Sequence, residues 1–348
     1  MADSLSSLQV SLAAIGGLTV VAVVAYNYWT SRQNVPKQAE PYTEPTGLQP
    51  AGSLANGQAI EPVLTDDFVA LSTFDKKPHL DALIDVISSI EVEQAVPAQL
   101  VLAALPPTRR VGTKAFHIEG CCQLHGQWEP IQLGKRYVAF QAGVQLANRV
   151  GALNDIEFSE FVVKTQAFAD AVGGTAHFSD MMEEVARARE LDQFASAHDV
   201  QLSFTLCARS AAWSSGYIQQ HATRLGFVMG LIPGRMVLTS EQAGAPLLSL
   251  SFDSQAAMAE DPALSAIREF TLSLDVPQIA FEDRPFERMR EVARSLADNM
   301  EGVITDGDGQ VLNEMALDQI ASDLQVLYEA LNARELSAGS PQARRLFS

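Results

Sequence analysis

Cysteine is scarce. The chain of 348 residues holds only Cys121, Cys122 and Cys207, an odd and sparse set that describes no disulfide framework and suits a reducing compartment. Basic residues are also few, 24 Lys and Arg against 42 Asp and Glu, for a formal net charge of -18. Binding to nucleic acid phosphates rests on clustered Lys and Arg, so no nucleic acid partner is expected. The same charge repels anionic lipid, so any membrane attachment has to come from an apolar segment. The chain contains neither a GxGxxG nor a P-loop lysine motif. Ser214-Ser215-Gly216 lacks the frame of a nucleophile elbow. The six histidines are scattered singly. No set of groups emerges from which a reaction could be assembled, so no catalytic residue, cofactor, metal or small-molecule substrate is expected.

One long apolar run is present. Leu8 to Trp29 reads LQVSLAAIGGLTVVAVVAYNYW and carries no charged side chain. A bilayer core needs about 20 apolar residues at a rise of roughly 1.5 Å each, which this run supplies. Tyr26, Tyr28 and Trp29 stand at the headgroup end, and Arg32 and Lys37 follow, while Asp3 is the only charged side chain before the run. The positive-inside bias then places the N-terminus outside and the remainder in the cytoplasm. A cleaved signal peptide wants basic residues before its apolar core and a small-x-small site after it, and neither is present.

From Arg32 to about Pro62 the sequence is Gln, Glu, Gly and Pro with few apolar residues, including Pro36, Pro41, Pro45 and Pro50. Such a composition buries too little surface to offset ordering and reads as an extended linker. Periodic segments begin near Lys77. Val200 to Leu206, Phe270 to Val276 and Leu247 to Phe252 alternate as strands. Pro285 to Met300 repeats apolar residues at helical spacing, a hairpin is expected around Asp306-Gly307-Asp308-Gly309, and Asn313 is the expected N-cap of a closing helix through Leu331. This order predicts an α+β fold, an antiparallel sheet with helices on one face.

A repeat occurs at a spacing of about 128 residues: FSEFVVKTQAFADAVGG from Phe158 parallels FERMREVARSLADNMEG from Phe286. The matching order of strand, helix, Gly, strand and helix predicts two tandem copies of one domain. The expected division is an anchor at 8–29, a disordered linker at 30–76, a first, divergent domain at 77–199, a second at 200–336 and a disordered tail at 337–348.

His117, Cys121, Cys122 and His125 carry zinc-binding groups. On an extended strand, residues four apart lie about 13 Å from each other, too far for one ion, unless Gly120 or Gly126 folds the segment back. The Asp306 to Gly309 stretch has part of a calcium-loop signature but lacks its terminal Glu, and a tight turn uses the same residues.

The N-out helix, the Pro/Gln-bearing linker, FTLSLDVP, the helix ending LADNMEG, the hairpin and the terminal helix together resemble the ZipA family. These are bacterial division proteins that tether tubulin-like FtsZ to the inner membrane. The detailed resemblance covers about Val200 to Leu331; Gly226-Phe227 after Ile218-Gln219-Gln220 also fits it. It implies a non-enzymatic adaptor at the division septum, with the FtsZ C-terminal tail and the inner membrane as partners. Matched residue by residue, the family's tail-binding face falls on Val200, Ile232, Ser251, Asp253, Thr271, Ser273 and Gly309, most of them polar where the family uses Met, Phe and Ala.

Overall fold

A computed structural model describes residues 36–39, 80–239, 245–258 and 265–348. The anchor expected at Leu8 to Trp29 lies outside these residues, and so does most of the expected linker. Among the described residues no helix is long and apolar enough to cross a membrane. The described residues form an α+β fold built on two six-stranded antiparallel sheets in two compact units. The first unit contains residues 80–199 and Pro341–Ser348, and the second contains Val200–Ser340 with the short stretch 36–39.

In the first unit the order is β1 (Asp85–Pro97), α1 (Ala98–Ala104), β2 (Arg110–Val111), β3 (Lys114–Cys122), β4 (Trp128–Pro130) and β5 (Arg136–Gln145). The small pair β6 (Ala147–Asn148) and β7 (Gly151–Ala152) follows, then α2 (Asp155–Val172), β8 (Gly174–His177) and α3 (Met181–His198). The strands lie side by side as β2-β3-β5-β1-β8, with β4 on β3. Alternation assigns the faces: Phe116 of β3 and Phe140, Ala142 and Val144 of β5 are buried. The Phe116 and Phe140 rings meet Phe161 and Phe168 of α2 at 6.0 and 5.4 Å. Helix α2 starts in a capping box, in which the Asn154 side chain accepts from the backbone of Ile156 and Glu157 while Glu157 reaches back to Asn154. It ends on Gly173 at φ 67°, a left-handed cap suited to glycine.

The second unit runs β9 (Gln201–Ala208), α4 (Ser215–Arg224), β10 (Val228–Met229), β11 (Arg235–Leu238), β12 (Leu248–Ser251) and α5 (Ser254–Ala257). It closes with β13 (Glu269–Asp275), α6 (Pro285–Met300), β14 (Gly302–Thr305) and α7 (Glu314–Ala333). Its strand order is β10-β11-β12-β13-β9-β14. Phe204, Leu206, Leu248, Leu250, Phe270, Leu272 and Leu274 are buried on one face of this sheet, with Phe286, Met289, Val292, Leu296 and Met300 of α6 buried as well. Buried Trp213 donates its indole N–H to the Met300 carbonyl at 2.9 Å and lies against Phe270. Pro285 sits at the start of α6, and Asn313 caps α7 by accepting from the Ala316 backbone N–H at 2.8 Å.

Two expectations are corrected. The tail is not disordered: Pro341–Leu346 forms helix α8, and Leu346 and Phe347 are each 1% exposed. The linker makes structure at one point. The backbone N–H of Lys37 donates to the Ala212 carbonyl at 2.7 Å, its carbonyl accepts from Ser214 at 2.9 Å, and its Nζ meets Glu301 at 2.9 Å. Backbone pairing needs no apolar sequence, so composition alone could not reveal it.

Candidate functional site

The second sheet offers its outward face. Register places Arg235, Ser251, Thr271, Thr205 and Thr305 in one row across β11, β12, β13, β9 and β14. The next row is Val237, Ser249, Ser273 and Ser203. Residues opposite each other in a ladder share a face, so the two rows form a surface of small hydroxyls that ends at Thr305, which is buried and donates its hydroxyl to the Thr205 carbonyl at 3.2 Å; the Ser203 and Ser273 oxygens lie 3.4 Å apart. At the β10 edge the surface turns apolar: exposed Val228 pairs with Val237 of the second row, Leu231 and Ile232 are exposed in the turn that follows, and exposed Met229 pairs with buried Met236 on the other face.

Of the residues matched from the sequence, the fold brings Ser251 and Thr271 together as direct partners, with Ser273 one row away on the same face. Ile232 is 56% exposed in the turn between β10 and β11, where its carbonyl accepts from Arg235. The other three stand apart from these rows. Asp253 uses its carboxylate to accept from Gln255 at 2.8 Å and so caps α5. Val200 precedes β9, with its carbonyl accepting from Val276. Gly309, at φ 79°, closes the turn after β14. In that turn Asp306 Oδ1 accepts from the backbone of Asp308 and Gln310, so the loop's first carboxylate serves the backbone. Ser203, Thr205, Ser249 and Arg235 lie on the same rows, and the alternation of VQLSFTL and LLSLSF already sets Ser203, Thr205 and Ser249 opposite the core.

The corresponding face of the first sheet is partly covered. Leu80 lies over Gly143, where a Cβ would come within 2.3 Å of Leu80 Cδ2, so a larger residue there would have to push the Leu80 side chain aside. The Leu80 backbone N–H donates to buried Glu119 at 3.3 Å, and Gln141 holds the other Glu119 oxygen at 2.9 Å. At the β1–β5 end, Arg345 of the C-terminal segment binds Asp85. Burial pushes the Asp85 carboxyl above its ordinary range even though the guanidinium opposes the shift.

The histidine and cysteine cluster resolves into two parts. His117 and Cys121 stay on β3, in register with Gly143 and Ala139. Gly126, at φ 66°, folds the chain back and brings Cys122, His125 and Glu129 within 4.8 Å of one another. Glu129 comes from β4 and carried no signal in the sequence. Among the described residues these three form the group that could hold a metal ion, but Lys135 Nζ lies 2.6 Å from both Glu129 oxygens and the Tyr137 hydroxyl donates to one of them at 3.2 Å. The ammonium already supplies the positive charge that an ion would bring, which makes this an ion-paired hairpin. A cleft of about 410 Å³ nearby is lined by Leu102, Pro106, Arg109, His117, Glu119 and Ile131.

No family model matches the chain, and comparison with the curated proteins finds no match.

Proposed function

We propose that this protein is a non-enzymatic, membrane-anchored adaptor resembling the ZipA family. It holds the C-terminal tail of FtsZ at the bacterial inner membrane and supports ring assembly at the septum. Leu8 to Trp29 is its single anchor, with the N-terminus periplasmic and the two units cytoplasmic. The observation that carries the reading is the arrangement of the second unit: one face of the sheet is packed, and the other is an open surface flanked by exposed Val228 and Ile232. An extended tail laid across such a face gains area from the apolar edge and hydrogen bonds from the hydroxyl rows. Anchoring many copies on one membrane turns weak single contacts into avidity.

We read the two units as copies of one domain. What supports this is the parallel order of β3-β5-β1-β8 and β12-β13-β9-β14, with α2 and α6 in the same place in the chain order and α3 and α7 closing each unit. Co-sedimentation of the segment from Lys77 to Ser348 with FtsZ polymers tests the reading. Binding that T271R/S273R abolishes supports it, and no binding at high protein concentration together with normal septa after depletion removes it.

A second reading is favoured by the polarity of Ser249, Ser251, Thr271 and Ser273, which give little apolar area. It is a tethered envelope-assembly module that binds a protein other than FtsZ, and a pull-down that returns one other partner consistently selects it.

A further inference from the structure

The last residues of the chain sit on the first unit as a ligand sits on a receptor. Arg345 donates from both terminal nitrogens to Asp85, Nη1 to Oδ2 at 2.8 Å and Nη2 to Oδ1 at 2.5 Å. The Asp85 side chain is 0% exposed, and its Oδ2 also accepts from the Asp81 backbone at 2.8 Å. Gln342 donates to Asp81 Oδ2 at 2.8 Å, and Gln145 donates to the Arg345 carbonyl at 2.7 Å. Leu346 and Phe347, immediately after the arginine, are buried. Helix α8 has six residues, too few to persist alone in water, so its form is imposed by the surface it meets. The division between the two units falls at Ser340 and Pro341, so the segment can leave without taking part of the second unit with it.

We propose that the β1–β5 end of the first sheet is a docking site for a short segment carrying an arginine followed by two apolar residues. Residues 341–348 fill it in cis, and the partner it fits is the same segment of a second copy of this chain. With the segment in place Asp85 is 0% exposed, and the Arg345 guanidinium supplies the opposite charge and the hydrogen bonds that such burial requires. The planar fork of arginine matches both carboxylate oxygens, which a lysine ammonium cannot do. The covalent tether gives the chain's own segment a high effective concentration, so a free copy enters only where the tethered one is absent or displaced.

The test uses a labelled peptide of residues 341–348 and the chain ending at Ser340, read by fluorescence anisotropy. One peptide should bind per truncated chain, binding to the full chain should be at least about 100-fold weaker, and an R345K peptide should lose at least about tenfold. A truncated chain that melts cooperatively yet ignores the peptide overturns the proposal, as does equal binding by the full chain or by the R345K peptide. Should truncation prevent folding, a protease site between Ser340 and Pro341 of the full chain is cut after folding. The released segment should then leave on dilution and rebind, and a segment that never leaves, or never rebinds, overturns the proposal. Exchange between copies is read by mixing a full chain carrying D85N, whose tail is freed, with cut chain depleted of its segment. A heterocomplex in sedimentation is expected, and its absence overturns the exchange.

Discussion

The two units bury different kinds of polar group. The first encloses Asp85, Lys114, Glu119, Glu129 and Glu157, while the buried polar residues of the second, among those described, are the uncharged Ser214, Ser215, Gln278 and Thr305. Enclosed charges need partners, and the first unit supplies Arg345 for Asp85, Lys135 for Glu129, and Asn148 and Thr113 for Lys114. The second unit pairs its charges at the surface, as where Arg290 meets Glu314 and Asp318 at 2.9 Å, and surface pairs of this kind contribute little. Both units have an apolar core, but the first adds enclosed charge pairs to it, whereas the second sets its core under an open hydroxyl face.

Removing one partner of an enclosed pair should break this contrast most sharply. R345A leaves the Asp85 carboxylate buried and uncompensated, and about 3 kcal/mol is expected to be lost, the low end for such pairs because Arg345 keeps 21% exposure. Limited proteolysis should then cut within residues 341–348 at enzyme levels that leave the parent chain intact.

Dependence on pH should concentrate in the first unit. Burial lowers the Lys114 pKa below 10.5, with Glu157 opposing the shift. The folded state then binds that proton less tightly than the unfolded chain, so this residue's contribution to stability falls as pH drops from 10.5 through the lowered value and rises toward alkaline pH. Melting curves across that window should show the rise in the parent chain and a flatter profile in K114M.

A smaller effect is expected in the second unit. The Tyr328 hydroxyl is buried without a hydrogen-bond partner, and burial drives its pKa strongly upward. Y328F removes the unsatisfied group while keeping the ring against Phe281, so a gain of about 1 kcal/mol is expected in thermal or denaturant unfolding. Smallest of all, S249A and S273A on the open face should change stability by less than about 0.5 kcal/mol. A large loss from either would mean that the hydroxyl rows belong to the core's support and not to a free surface.

Where local pattern decides, the sequence was readable. The alternation of FTLSLDV and the apolar spacing from Phe286 to Met300 gave strand β13 and helix α6, because each buries one face against the other. Asn313 was legible as a cap because its side chain needs only the backbone two or three residues on. Contacts distant in the chain were not legible. Nothing in PQARRLFS announces a carboxylate 260 positions away, Lys37 pairs through its backbone, and the approach of His125 to Cys122 depends on one left-handed glycine. At the candidate site, matching to a family selected Asp253, Val200 and Gly309 by position, whereas strand alternation alone would have led to Ser203 and Ser249.

The most direct test is a titration of the FtsZ C-terminal tail peptide into isotopically labelled chain from Lys77 to Ser348, followed by nuclear magnetic resonance. The account predicts shifts at Ser203, Ser249, Ser251, Thr271 and Ser273 and at the Val228 to Ile232 edge, with Asp85 and Gln145 unchanged. Shifts confined to the first unit, or none at saturating peptide, contradict it.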